Sequence, residues 1–207
     1  DFTTRRRARV RRRQHRPAPG SGARHDLGSL RLDGLLFGHG LFETPLIGKH
    51  NILNCLFAVA VGLQFGLEMP MIQKALTTFR PVPGRLHFRE VGGIIFLDDS
   101  YNSTPSSFRA SLETLKDFKL RERKGVVCGD MLELGGSAER MHREIGKLIS
   151  EYLFDYVIAS GPFSKFLVDE AVKNGFDATR ICHVKDSVEA GKLLRQWARP
   201  GDRVLVK

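Results

Sequence analysis

The feature that most limits what this chain can fold into is an alternation of short apolar runs and longer helix-like stretches between residues 93 and 207. The apolar runs are Gly93–Leu97, Gly125–Cys128, Tyr156–Ser160, Arg180–Val184 and Arg203–Lys207. Between them, residues of about 106–118, 137–152, 162–174 and 187–197 read as helices. Strands too apolar to keep one face in water need cover on both faces, and a strict β-α-β-α order supplies helices for it. The expected fold is therefore α/β, with a parallel, doubly wound, Rossmann-like sheet.

Upstream, two short apolar stretches, Leu35–Phe37 and Pro45–Ile47, are expected as strands of a small sheet. From Asn51 to Leu67 the residues Ile52, Cys55, Leu56, Val59, Ala60 and Leu63 recur at helical spacing. Asn51 is placed to cap that helix and Gly66 to stop it. Pro70 suits the first turn of a second helix reaching Phe79. Pro81, Pro83 and Gly84 then break the chain, and a domain boundary is expected there. Residues 28–82 would be one part and 83–207 another.

The formal net charge of +10 belongs mostly to one segment. Residues 1–24 contain nine arginines and one acid, a balance of +8, which leaves +2 for all the rest. Residues 1–27 form a basic, low-complexity tail with few apolar side chains. It reads as a polyanion-binding arm, as an Arg-rich leader, or as a boundary artefact. No aromatic residue beyond Phe2 interleaves the arginines, which argues against nucleic acid as a partner. The three cysteines, Cys55, Cys128 and Cys182, are far apart and fit a reducing cytoplasm better than a disulfide framework or a metal centre. No apolar run approaches the roughly 18 residues of a membrane span.

In open α/β sheets, ligands collect at the carboxyl ends of the strands. Two such ends are dense in polar groups here: Asp98-Asp99-Ser100-Tyr101-Asn102 and Gly129-Asp130-Met131-Leu132-Glu133. A carboxylate there can accept hydrogen bonds from ribose hydroxyls, and Tyr101 offers a flat face to a base. Asp98 or Ser106 could instead cap the following helix. Asp99 is the better functional candidate, because two adjacent acids are costly to pack. Gly84-Arg85 at the domain break would let a guanidinium reach a phosphate. Gly48-Lys49-His50-Asn51 precedes the first long helix, and Asn54 lies one turn into it as a polar residue needing a partner.

Taken in order, these strings resemble the Mur ligase family: Gly48-Lys49-His50-Asn51-Ile52-Leu53-Asn54, Gly84-Arg85, Asp98-Asp99-Ser100-Tyr101-Asn102-Ser103-Thr104-Pro105, and Gly129-Asp130-Met131-Leu132-Glu133-Leu134-Gly135 with His142 downstream. The resemblance covers about residues 28–207. The second and last of the longer strings are most similar to members that add D-alanyl-D-alanine to UDP-N-acetylmuramoyl-tripeptide. The resemblance implies a cytoplasmic, monomeric, ATP-dependent ligase of peptidoglycan synthesis that uses Mg2+. Residues 28–82 would be the end of a central ATPase domain, and 83–207 most of a Rossmann-like C-terminal domain. It implies that His50 and Asn51 lie beside the adenine and that Arg85 reaches the phosphates. Asp99 would meet the ribose, with Tyr101 and Asn102 nearby, and Lys207 matches a family lysine in a last-strand string. In the implied reaction, ATP phosphorylates the tripeptide carboxylate and the dipeptide amine attacks the acyl phosphate.

The sequence departs from that pattern in one respect. It contains no G-x-x-x-x-G-K-[ST] loop, so the triphosphate-binding element, the magnesium ligands and the main catalytic groups are expected outside it. The candidate site residues in this sequence are therefore nucleotide contacts, with no metal ligands. Two other readings compete. One is a non-catalytic Rossmann-like module for nucleotide or peptide, docked by its basic arm. The other is a related ligase adding a single amino acid or a folate glutamate. If Asp99 binds ribose, Asp99→Ala is expected to weaken ATP use more than folding.

Overall fold

The computed structural model describes residues 28–34, 38–118 and 122–207. The basic segment 1–27 and the Leu35–Phe37 stretch lie outside these residues. The chain divides into two compact units, one ending at Pro81 and one running from Val82 to Lys207.

The first unit pairs β1 (Gly28–Gly34) with β2 (Gly38–Thr44) as an antiparallel ribbon, followed by α1 (Lys49–Gln64) and α2 (Met69–Thr78). Cys55 and Val59 of α1 meet Ile72 of α2 in a small core, flanked by Leu46, Ile52 and Leu63. The other side of α1 leaves Leu53, Phe57, Val61 and Phe65 exposed at steps of four.

Two expectations fail in this unit. Pro45–Ile47 is not a strand but the connection from β2 to α1. Proline has no N–H for a ladder, and the Leu46 N–H donates instead to Thr44 Oγ1 at 3.3 Å. Asn51 is not the cap of α1. The helix begins two residues earlier with Gly48 at its N-cap, so Asn51 falls in the first turn. Its Nδ2 donates to the Ile47 carbonyl at 2.7 Å, and its Oδ1 accepts from Asn54 Nδ2 at 3.1 Å. Both polar side chains are thus used inside the unit. The helix ends as expected at Gly66, whose N–H donates to the Leu63 carbonyl while that of Leu67 donates to Gly62, a Schellman closure.

The second unit is a six-stranded sheet in the order β3-β4-β8-β5-β6-β7. Its strands are β3 (His87–Val91), β4 (Ile94–Asp98), β5 (Lys124–Cys128), β6 (Tyr156–Ser160), β7 (Ile181–Val184) and β8 (Arg203–Val206). All neighbours are parallel except β3 and β4. The crossover helices are α3 (Pro105–Lys116), α4 (Ala138–Glu151), α5 (Ser164–Lys173) and α6 (Ser187–Trp197). The crossovers through α3, α4 and α5 advance across the sheet in one direction, and the one through α6 returns. Right-handed connections therefore put α6 on the opposite face from the other three. Val126, Val157, Ile158, Val204 and Leu205 are fully buried between these layers, which explains the absence of polar alternation in the central strands.

The antiparallel edge strand β3 was not expected from the sequence. Its signal is Gly92-Gly93 between two β-rich stretches. Both glycines have positive φ, 59° and 75°, as a two-residue type I′ hairpin turn requires. Arg89 and Glu90 on its exposed half protect the sheet edge.

The start of α3 also differs from expectation. Neither Asp98 nor Ser106 caps it. Thr104 does, accepting from the Ser107 N–H at 3.2 Å while Ser107 Oγ accepts from the Thr104 N–H at 3.0 Å. Pro105 at N1 supports that start, since its missing N–H would have had no helical partner. Asp98 instead closes its own turn, accepting from the Ser100 N–H and Oγ.

Candidate functional site

The strand order brings the ends of β4, β8 and β5 side by side, because β8 lies between strands that come far earlier in the chain. Asp99 leaves β4 with its N–H donating to the Val206 carbonyl. Lys207 leaves β8 with its N–H donating to Val127 and its carbonyl accepting from Gly129. Arg85, Asp99, Tyr101, Asn102 and Lys207 meet in one cluster there.

Asp99 is only 9% exposed, and three donors from the chain occupy its carboxylate. The Leu86 N–H donates to Oδ1 at 3.1 Å. Ser111 Oγ donates to Oδ2 at 2.6 Å, and Lys207 Nζ donates to the same oxygen at 2.5 Å. Two adjacent acids are thus packed at a strand end after all, one by hydrogen bonds from Ser100 in a turn and the other by a buried ion pair. Oδ1 has lone-pair capacity left for one further donor. Lys207 Nζ also donates to the Asn102 carbonyl at 2.9 Å, so Asn102 joins the cluster through its backbone. Its side chain accepts from the Ser103 N–H.

The Arg85 guanidinium lies over the Tyr101 ring, 4.3 Å from the centroid. Tyr101 is otherwise exposed, and its N–H donates to the Gly84 carbonyl. A cation held over an aromatic face near the ends of parallel strands is suited to an anionic, planar ligand.

Two residues of this cluster escaped the sequence reading. Ser111 carried a signal, since it interrupts the buried stripe of Phe108, Leu112 and Leu115 on α3 and needs a partner there. Leu86 carried none. It is buried with φ of 48°, a backbone region that a leucine adopts only under constraint.

The Gly129–Gly135 string has a mostly architectural role in the described residues. Asp130 accepts from the backbone N–H groups of Phe163 and Ser164 and from Ser164 Oγ, so a carboxylate from the end of β5 caps α5. His142 is fully buried. Its Nδ1 faces the Ala138 carbonyl at 2.7 Å and its Nε2 faces the Met131 N–H at 3.0 Å. The Nδ1–H tautomer satisfies both, which makes His142 a strut under the loop. Glu133 in that loop has φ of 62°.

His50 and Asn51 belong to the first unit. Among the described residues no group of three or more His, Cys, Asp or Glu side chains could hold a metal ion. No described helix is long and apolar enough to cross a membrane.

Burial pushes the Cys128 thiol up to about 12, with the nearby Asp130 charge adding to it. Burial likewise raises the Tyr156 phenol, helped by Asp202. Both groups keep their protons more tightly when folded than in the unfolded chain, where 9.0 and 10.0 are the ordinary values. Unfolding therefore releases protons above pH ~9, and stability should fall as pH rises from there. Urea midpoints measured from pH 7 to 10.5 should decline only in the upper part of that range. A flat profile would contradict the buried-proton assignment.

The parallel-dominated sheet covered by helices, with a polar cluster at its strand ends, is a Rossmann-like α/β domain. Residues 84–207 match the Mur ligase glutamate ligase domain, and the chain belongs to that family. Members of this family are ATP-dependent ligases. The UDP-N-acetylmuramoyl-tripeptide–D-alanyl-D-alanine ligase of Bacillus subtilis is 31% identical over 80% of this chain and 36% of its own length. The crystal structure of MurF from Acinetobacter baumannii superposes with a TM-score of 0.73 at 26% identity, over 87% of this chain and 39% of that one. MurF from Thermotoga maritima, solved in complex with ADP, shares the fold at a TM-score of 0.71 and 24% identity, over 87% and 39%. The chain thus spans a little over a third of the length of these relatives.

Proposed function

We propose that this chain is part of an ATP-dependent ligase that joins D-alanyl-D-alanine to UDP-N-acetylmuramoyl-tripeptide, with ATP and Mg2+ as cosubstrates. The observation that supports this best is the single cluster of Arg85, Asp99, Tyr101, Asn102 and Lys207 at adjacent strand ends, in a chain similar to ligases with that name. In this reading the Arg85 guanidinium meets the nucleotide phosphates, where a charge-assisted bond is strongest. Tyr101 and Asn102 line the nucleoside, and the spare capacity of Asp99 Oδ1 accepts a ribose hydroxyl. His50 and Asn51 of the first unit serve the adenine. The remaining catalytic groups and the sites for the tripeptide lie in the other two thirds of the relatives' length. Positioning and charge stabilisation then supply most of the rate.

A domain exchange tests the substrate. Residues 84–207 would replace the corresponding domain of the Bacillus subtilis relative, and phosphate release would be measured with UDP-N-acetylmuramoyl-tripeptide. Release that depends on D-alanyl-D-alanine is expected. Release with a single D-alanine or a glutamate instead, from a folded chimera, would overturn the assignment.

A further inference from the structure

Arg85 is exposed on a turn between a domain break and an edge strand, and an exposed arginine is normally free to sample many rotamers. Apart from the Arg85 N–H, which donates to the Val82 carbonyl within the turn, the contacts that fix it run to the segment 99–102. The Leu86 N–H is held by Asp99 Oδ1, the Gly84 carbonyl by the Tyr101 N–H, and the guanidinium by the Tyr101 ring. Gly84 has φ of 75°, and a Cβ there would stand 3.1 Å from the Tyr101 nitrogen, so the two segments touch at backbone level. The segment 99–102 is in turn gripped at both ends by one cation. Lys207 Nζ, with its side chain 1% exposed, donates to Asp99 at one end and to the Asn102 carbonyl at the other.

We infer that Lys207 and Asp99 are positioning residues for Arg85: their buried ion pair holds Leu86 in its strained conformation and so presents the guanidinium at the strand ends. Without Lys207 the Asp99 carboxylate would be a buried, uncompensated charge, free to turn toward solvent and release the Leu86 N–H. Leu86 would then relax to negative φ, and Arg85 would swing with it. This inference rests on the reading of Arg85 as a phosphate contact for its functional consequence, but not for its structural one.

The test uses the full 207-residue chain. In Lys207→Met, amide exchange at Leu86 and Tyr101 should accelerate at least tenfold, while Val157 and Ile158 in β6 keep their protection. ADP titration should show Arg85→Ala and Lys207→Met each weakening binding about tenfold or more. The double variant should lose clearly less than the sum of the two single losses, because the lysine acts largely through the arginine. Unchanged exchange at Leu86, or additive losses in ADP affinity, would overturn the inference. If Lys207→Met does not fold, Lys207→Gln, neutral but still able to donate to Asp99, takes its place with the same readings. If Arg85→Ala leaves ADP affinity unaltered, or the parent chain binds no ADP, the nucleotide reading fails, and exchange at Leu86 alone decides the clamp.

Discussion

Replacing Asp99 with alanine should destabilise the unit from Val82 to Lys207 by about 3–5 kcal/mol, the usual cost of removing one partner of a buried ion pair. The substitution leaves the Lys207 ammonium nearly buried with only the Asn102 carbonyl to face, orphans the Leu86 N–H, and leaves Ser111 Oγ with only the Ser107 carbonyl. Seen from the sequence alone, Asp99→Ala should have harmed ATP use more than folding. Its burial in an ion pair adds a folding cost to the substitution, so loss of stability cannot by itself argue against contact with a ribose. Asp99→Asn separates the two effects better. It keeps an acceptor for Leu86 but loses the charge that balances Lys207, and should cost clearly less. Urea unfolding followed by the fluorescence of Trp197, the only tryptophan, would report both. Equal stability of Asp99→Ala and the parent chain would show that the ion pair contributes nothing net.

The second large effect is expected at the other end of the sheet. Asp202 precedes β8 and is 2% exposed. It accepts from Arg123 Nη1 at 3.2 Å, from the Tyr156 hydroxyl at 3.2 Å and from the Arg199 N–H at 3.0 Å. Arg123 precedes β5, Tyr156 begins β6 and Asp202 itself precedes β8, so one carboxylate ties together the starts of three neighbouring strands. Asp202→Ala should cost about 3 kcal/mol, because the Tyr156 hydroxyl would be left buried without an acceptor. The Tyr156 ring itself cannot withdraw, since it fills the space a side chain at Gly125 would need, 2.2 Å from the position of that missing Cβ. Asp202→Asn retains an acceptor and should recover part of the loss in the same urea experiment. Because Asp202 is far from the strand ends that carry Arg85, ADP affinity of the folded variant should match that of the parent chain.

Much of the fold was legible because its strands and helices carry strong local signals. Tyr156–Ser160 and Ser187–Trp197 coincide with the stretches read from the sequence, and the other helices of the second unit differ by one or two residues at their ends. Local capping chemistry was less legible. Thr104, Asp98, Ser106 and Asn51 are all plausible caps by residue type, and which one serves depends on where the chain turns. The edge strand β3 was missed because half of it faces water and its pattern is weak, although Gly92-Gly93 marked the hairpin.

The motif residues of the candidate site were likewise visible in order along the chain, since strand ends follow apolar runs. The sequence by itself determined the α/β alternation, the polar strand ends and the family to which those strings belong. Only the tertiary structure decided that β8 inserts between β4 and β5, because strand order depends on non-local pairing that no local pattern encodes. That insertion carries Lys207 to Asp99 across 108 residues of sequence. It turns a carboxylate that looked free for a ligand into one half of a buried pair, and it makes the last residue of this chain a support for Arg85 near its domain break.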